Sequence, residues 1–180
     1  MKNKLFLSII SFLFISQMAF AQGQGSITAG SGLLFGSEIE QLGIGLNGQY
    51  FINDNIAGQV GLNFFFPQKE EITNIYERKR SIWTINLNAN YYFDIENDVI
   101  SPYALAGINI SNLKSENDVL EEFFGDEISR KTTDTDFGLN LGAGADFNVS
   151  ESFVPFGQLK YVITDFDQLV IMAGVRISLK

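Results

Sequence analysis

The feature that most constrains this chain is strict alternation of apolar residues with small polar ones, sustained over about ten residues at a time and almost free of charge. From Gln41 to Phe51, Leu42, Ile44, Leu46 and Tyr50 fall on one face, and Gln41, Gly43, Gly45, Asn47 and Gln49 on the other. Trp83, Ile85, Leu87, Ala89, Tyr91 and Phe93 alternate in the same way with Thr84, Asn86, Asn88, Asn90 and Tyr92. Phe137, Leu139, Leu141, Ala143, Ala145 and Phe147 alternate with Gly138, Asn140, Gly142, Gly144 and Asp146. Near the C-terminus, Leu169, Ile171, Ala173, Val175, Ile177 and Leu179 oppose Met172, Gly174, Arg176 and Ser178. Period two is the strand period, because successive side chains of a strand point to opposite faces.

Residues 26–36, 56–66, 101–111 and 153–164 follow the period less cleanly, which predicts eight strands of 11 to 14 residues. The connections alternate in kind. Segments 52–55, 94–100 and 148–152 are short and carry turn residues, whereas 37–40, 67–79, 112–134 and 165–168 lie on the other side, two of them long. An even number of antiparallel strands with one-sided long loops describes an up-and-down barrel.

Charge placement predicts which way that barrel faces. The predicted strands hold only six charges, at Arg80, Asp136, Asp146, Lys160, Arg176 and Lys180. A strand surface that faces water is normally rich in Lys and Glu. Here the polar face is Gly, Asn, Gln, Ser and Thr, and ten of the 17 glycines fall on it, which suits the crowded interior of a narrow barrel. The apolar faces suit lipid, where a mid-depth Arg or Lys costs roughly 2–4 kcal/mol. Tyr50, Phe51, Phe64, Phe66, Trp83, Tyr91, Phe93, Phe137, Phe147 and Phe153, near strand ends, are expected to form two interfacial girdles. The competing architecture is a soluble lipocalin-like binding protein, which alternates with the opposite sense.

Residues 1–21 read as a secretory signal peptide. Lys2 and Lys4 precede an apolar run from residue 5 to 15, and Ala19-Phe20-Ala21 is an A-x-A cleavage site. The expected mature domain, 22–180, carries a formal charge of -11, so no nucleic-acid partner is expected. No Cys and no His occur in the sequence, which removes thiol nucleophiles, disulfides, Ser-His-Asp arrangements and His-bound zinc. No nucleophile–base spacing stands out among Ser, Asp and Lys, so no catalytic, cofactor-binding or metal-binding residues are assigned and no enzyme is expected. Gly43-Ile44-Gly45 and Gly142-Ala143-Gly144 sit inside strands, with no following helix to hold a phosphate.

The chain resembles the small eight-stranded outer-membrane β-barrels, the OmpX-like and OmpA-transmembrane-domain-like proteins, over nearly all of 22–180. The resemblance rests on the leader, the strand count and the ending from Met172 to Leu179, in which Gly174, Ile177 and Leu179 match the family's terminal-strand assembly signal. That family usually ends in an aromatic residue, and this chain ends Leu179-Lys180. The resemblance implies an all-β transmembrane barrel in the bacterial outer membrane, reached by secretion through the inner membrane. It implies outer-membrane lipids and the outer-membrane assembly machinery as partners, both termini in the periplasm, and loops 67–79 and 112–134 outside.

Two groups of candidate functional residues follow. Asp146, Lys160 and Arg176 are mid-strand charges with polar-face parity. They are expected to form a lumen ion pair, Asp146 with Arg176 across the lumen or with Lys160, and a proton or solute path is the alternative. In 112–134, Val119, Leu120, Phe123, Phe124 and Ile128 approximate helical spacing among acidic residues. They are expected as a helix or strand extension that contacts an extracellular protein, or as apolar residues folded onto the rim. The acidic residues there lack the Asp-x-Asp-x-Asp-Gly register of a Ca²⁺ loop. The expected role is structural, adhesive or in envelope assembly, with a narrow channel or transport accessory as the alternative.

Overall fold

The computed structural model describes residues 24–73, 76–97, 99–119, 128–150, 152–164 and 167–179, and gives the backbone alone for parts of the longest strands. Among the described residues there are eight strands: β1 (Ile27–Gly36), β2 (Gln41–Phe51), β3 (Ile56–Thr73), β4 (Tyr76–Tyr92), β5 (Ile100–Val119), β6 (Ile128–Phe147), β7 (Val154–Ile163) and β8 (Gln168–Ser178). Each pairs antiparallel with the next, and β8 closes on β1. Closure leaves no strand edge within the barrel wall, which is the condition for a sheet to stand in hydrocarbon.

The burial pattern has the membrane sense. Large apolar residues on the outer faces of the strands are exposed, from Leu33 and Leu42 to Phe137 at 76%. Asn86, Asn90, Asn109, Asn140, Asp146 and Arg176 are buried. A lipocalin-like barrel would show the reverse, so that alternative is excluded.

The girdles form as expected with one correction. Phe64 and Trp83 are register partners at one rim, while Tyr91 and Phe93 contact edge to face at the other, with ring centroids 5.4 Å apart. Phe51, however, is 1% exposed and lies inside. Tyr50 takes the outer face, so strand parity turns its neighbour inward, where the Phe51 ring packs on Tyr92 at 5.2 Å.

Strand length is the second correction. β1, β2, β7 and β8 have 10 or 11 residues, but β3 to β6 have 17 to 20. The described residues of the segments expected as loops, 67–79 and 112–134, are strand. Charge scarcity marks only the part of a strand that lies in lipid. The ladder continues beyond it, from Gln68↔Arg80 to Thr73↔Tyr76 and from Asn112↔Thr135 to Val119↔Ile128. About nine or ten residues tilted across the bilayer fill its core, so the longer strands run on past it for about 25 Å or more of their own tilted length, at roughly 3.3 Å per residue.

The turns at the other end are short and tied by side chains. Asn53 Oδ1 accepts from the backbone N–H groups of Asn55 and Ile56, at 3.0 and 2.8 Å, and Asn97 Oδ1 accepts from Val99 N at 2.9 Å. These Asx turns replace the ladder bonds lost where the chain reverses.

Candidate functional site

The lumen is filled in three layers. Nearest the short turns is the charged and aromatic layer. Asp146 stands one residue before the end of β6 and Arg176 near the end of β8, with β7 between them. Both are fully buried, and Arg176 Nη1 pairs with Asp146 Oδ1. Arg176 Nη2 donates to Tyr103 Oη at 3.0 Å, and the guanidinium lies 4.0 Å from the centroid of the Phe156 ring. The other carboxylate oxygen accepts from Tyr92 Oη at 3.0 Å, and Tyr103 Oη donates to Gln158 Oε1 at 3.2 Å. Phe51, Tyr92 and Tyr103 stack across the lumen beside this pair, with Tyr92–Tyr103 centroids 4.9 Å apart. The structure brings Asp146 and Arg176 together across β7.

The middle layer is built from amides. Asn86 Oδ1 accepts from Asn109 Nδ2 at 2.8 Å, Asn140 Nδ2 at 3.1 Å and Lys160 Nζ at 2.5 Å. Asn140 Nδ2 also donates to Asn88 Oδ1, and Asn88 Nδ2 to Gln59 Oε1. Lys160 therefore does not pair with Asp146 and is held by a neutral side chain instead. The third layer, toward the long hairpins, is apolar: Leu34, Phe65, Val162, Val170 and Met172 pack together, with Ile39 and Ile82 against them, and Phe156, at the depth of Asp146 and Gly174, joins this cluster to the charged layer. That layer departs from the expectation of a uniformly polar inner face. Its residues come from β1, β3, β7 and β8, three of which alternate least cleanly in sequence. Among the described residues this layer borders a cavity of about 20 Å³, room for a water or two.

The wall depends on glycine where backbones crowd. A Cβ on Gly144 would meet the Tyr103 hydroxyl and ring, and one on Gly174 would meet Ser31 O and Gly32 across the β1–β8 seam. Of the expected terminal-strand residues, Gly174 sits at that seam, while Ile177 and Leu179 are on the outer face.

The second surface is the projecting sheet. In the described residues β2 stops pairing with β3 at Gly43↔Phe65, and β7 stops pairing with β6 at Leu139↔Ile163. Beyond those pairs β3, β4, β5 and β6 form a four-stranded sheet with two open edges. Of the expected contact residues, Val119 and Ile128 face each other in the ladder. That register excludes one helix running through both. Leu120, Phe123 and Phe124 lie outside the described residues. Glu70↔Arg78, Arg78↔Asn117 and Asn117↔Arg130 form one row of the sheet, and Lys79↔Glu116 with Glu116↔Lys131 the next.

The sequence matches the outer membrane protein beta-barrel domain over residues 7–175. The chain belongs to that family. Solved outer-membrane barrels share its fold. The N-terminal β-barrel domain of Pseudomonas aeruginosa OprF superposes with a TM-score of 0.63 at 16% identity, covering 88% of this chain and 100% of that one. A major outer membrane protein of Thermus thermophilus gives 0.65 at 10% identity, over 86% and 98%. Ail, the attachment invasion locus protein of Yersinia pestis, gives 0.57 at 19% identity, over 88% and 100%. No curated protein matches in sequence. For an outer membrane protein beta-barrel domain the exposed apolar belt is the lipid-facing surface, and the bacterial outer membrane is its place.

The charges at 146, 160 and 176 were legible in the sequence as inward-facing residues. Tyr92, Tyr103, Gln158 and the Asn86–Asn140 amide layer were not singled out. Inner-face parity was the signal that marks them.

Proposed function

We propose that this outer-membrane barrel is a non-catalytic surface protein whose projecting sheet binds a macromolecule outside the cell, in adhesion or envelope assembly. The observation that carries the reading is the contrast between its two ends of investment: a lumen filled by three layers of side chains, and four strands that run on well past the lipid belt. Cargo would need an open lumen, whereas contact needs a surface beyond the headgroups. The reading places both barrel termini and the short turns in the periplasm, after export by the 1–21 signal peptide and folding by the outer-membrane assembly machinery, and it places the long hairpins outside. Ail has been solved with the heparin analogue sucrose octasulfate, and a neighbour of the same fold with an outside ligand supports the assignment of role.

The test compares cells that carry the full chain with cells in which 67–79 and 112–134 are replaced by tight turns. Attachment to immobilised extracellular matrix and sulfated glycans should fall to background in the trimmed barrel while its surface level stays the same. An epitope inserted near Glu122 should be detected on intact cells, and one near Asp98 only after permeabilisation. Equal attachment by both barrels, or ion conductance by the purified protein in planar bilayers, would overturn the reading.

A further inference from the structure

The two faces of the projecting sheet carry different basic residues. Strand parity puts Lys69, Lys79, Lys114 and Lys131 on the face that continues the lipid-facing wall, and Arg78, Arg80 and Arg130 on the face that continues the lumen. Lys69 reaches the outer face only through the irregularity in β3 between Phe65 and Gln68, which shifts the strand's register against β4. Re-aiming a residue is what such bulges do. Lys79 stands directly opposite Lys69, and Ser81, two residues nearer the membrane on β4, stands opposite Lys114. Lys69, Lys79 and Lys114 therefore share one small area, with direct ladder partners about 5 Å apart and diagonal ones about 7–8 Å apart.

Counted outward from the bilayer, this face is layered by chemistry. Phe66, Trp83 and Phe137 close the apolar belt and are exposed. Uncharged polar residues follow: Asn112 and Thr135, joined by a 3.0 Å hydrogen bond from Asn112 Nδ2 to Thr135 Oγ1, and then Ser81 and Thr133. The lysines come next, with Glu116 as the acid in their row. Glu71, Glu77 and Asp118 stand one row further out. Like charges directly opposite in a ladder are unfavourable. The outer carboxylates offset part of the Lys69–Lys79 repulsion from above, and toward the membrane this face carries no carboxylate before the aromatic belt. The short outer turns of the rest of the wall carry Glu38, Glu40 and Asp167 instead, so the positive surface belongs to the projecting strands alone.

We propose that Lys69, Lys79 and Lys114 form a docking surface for the phosphate group of an outer-leaflet lipid whose acyl chains lie against Phe66, Trp83 and Phe137. The surface is continuous with the lipid belt, and its charge is complementary to a phosphorylated headgroup. Lysine suits the place, because its ammonium takes a phosphate as a point charge and its flexible stem lies along apolar surface. The lipid site is separate from whatever the sheet contacts further out, so it stands or falls apart from the adhesive role.

Trp83 is the single tryptophan of the chain and lies on this face, so its fluorescence reads the site. The test places the mature barrel in phosphatidylcholine vesicles that contain a small fraction of phosphatidic acid with brominated acyl chains, which quench tryptophan. The brominated lipid is present in both leaflets, so either direction of insertion is read. At low salt the quenching should report a local fraction of phosphatidic acid about fivefold above its bulk fraction, falling to the bulk value as salt screens the charges. The triple variant Lys69→Gln, Lys79→Gln, Lys114→Gln should show the bulk value at all salt concentrations. Arg78→Gln with Arg80→Gln, which flank Lys79 but belong to the other face, should keep the wild-type enrichment. Millimolar inorganic phosphate at fixed ionic strength should not displace the lipid. Bulk-level quenching in the wild type, or unchanged enrichment in the lysine variant, would overturn the proposal. So would an equal loss in the arginine variant, which would reduce the effect to net charge, or displacement by inorganic phosphate, which would make the ligand a free ion. If the triple variant does not refold, Lys79→Gln alone and the wild-type salt series decide.

Discussion

Arg176 is held on every side. Asp146 pairs with it, Tyr103 accepts from it and the Phe156 ring lies flat beneath it. Removing one partner of a buried pair strands the other charge, which costs about 3–5 kcal/mol. Asp146→Asn and Arg176→Gln should each lower the unfolding free energy by about 3 kcal/mol, and the double variant should recover part of the loss. A double-mutant cycle by urea unfolding in detergent measures this, and additive losses would show that the two residues do not interact. Arg176→Lys keeps the charge but loses the planar fork and the ring contact, so it should still cost about 1–2 kcal/mol. Gly144→Val tests the same layer from the wall. A Cβ there meets the Tyr103 ring, so the variant should lose about 1–3 kcal/mol by overpacking, read by the same unfolding measurement. The charged pair was legible in the sequence because charges in these strands are rare. Its aromatic and amide partners were not, because Tyr and Asn are ordinary residues of a barrel interior and only their depth reveals which of them meet.

Strands set a different kind of requirement, that of fit along an edge. The β1–β8 seam closes through Gly32 opposite Gly174, two residues without side chains at the tightest approach. Gly174→Val should impair closure, seen as loss of the gel-mobility difference between boiled and unboiled protein, while Gly157→Ala, whose Cβ would meet nothing within 4 Å, should leave that difference intact. The strand order, the number of strands and the lipid-facing side of each were legible from period two and charge scarcity. Strand ends were not. Lys69, Glu70, Glu77 and Arg78 look like loop residues because they are charged, yet in water a charged residue sits in an antiparallel ladder at little cost. Phe51 shows the converse error. Residue type placed it in a girdle, and the parity of β2 places it inside.

As a whole, the molecule should behave as an integral membrane protein without a pore. It should stay in the membrane pellet after carbonate washing, and the purified barrel should give no stepwise conductance in planar bilayers. Recovery as a soluble monomer without detergent would contradict the exposed apolar belt. The projecting sheet has a consequence for how such a molecule can change over time. The wall must keep eight paired strands of fixed span, since any gap would open backbone groups to hydrocarbon. Above the headgroups that constraint lapses, and water satisfies the edges of β3 and β6. Matched insertions or deletions of two residues on each arm of a long hairpin preserve both register and facing, whereas an unmatched single residue would turn one arm over. The extramembrane part is thus free to lengthen or shorten in steps of one residue pair per face, while the part in lipid stays as it is. Two rates of change are built into one continuous sheet, with the boundary between them near Phe66 and Phe137.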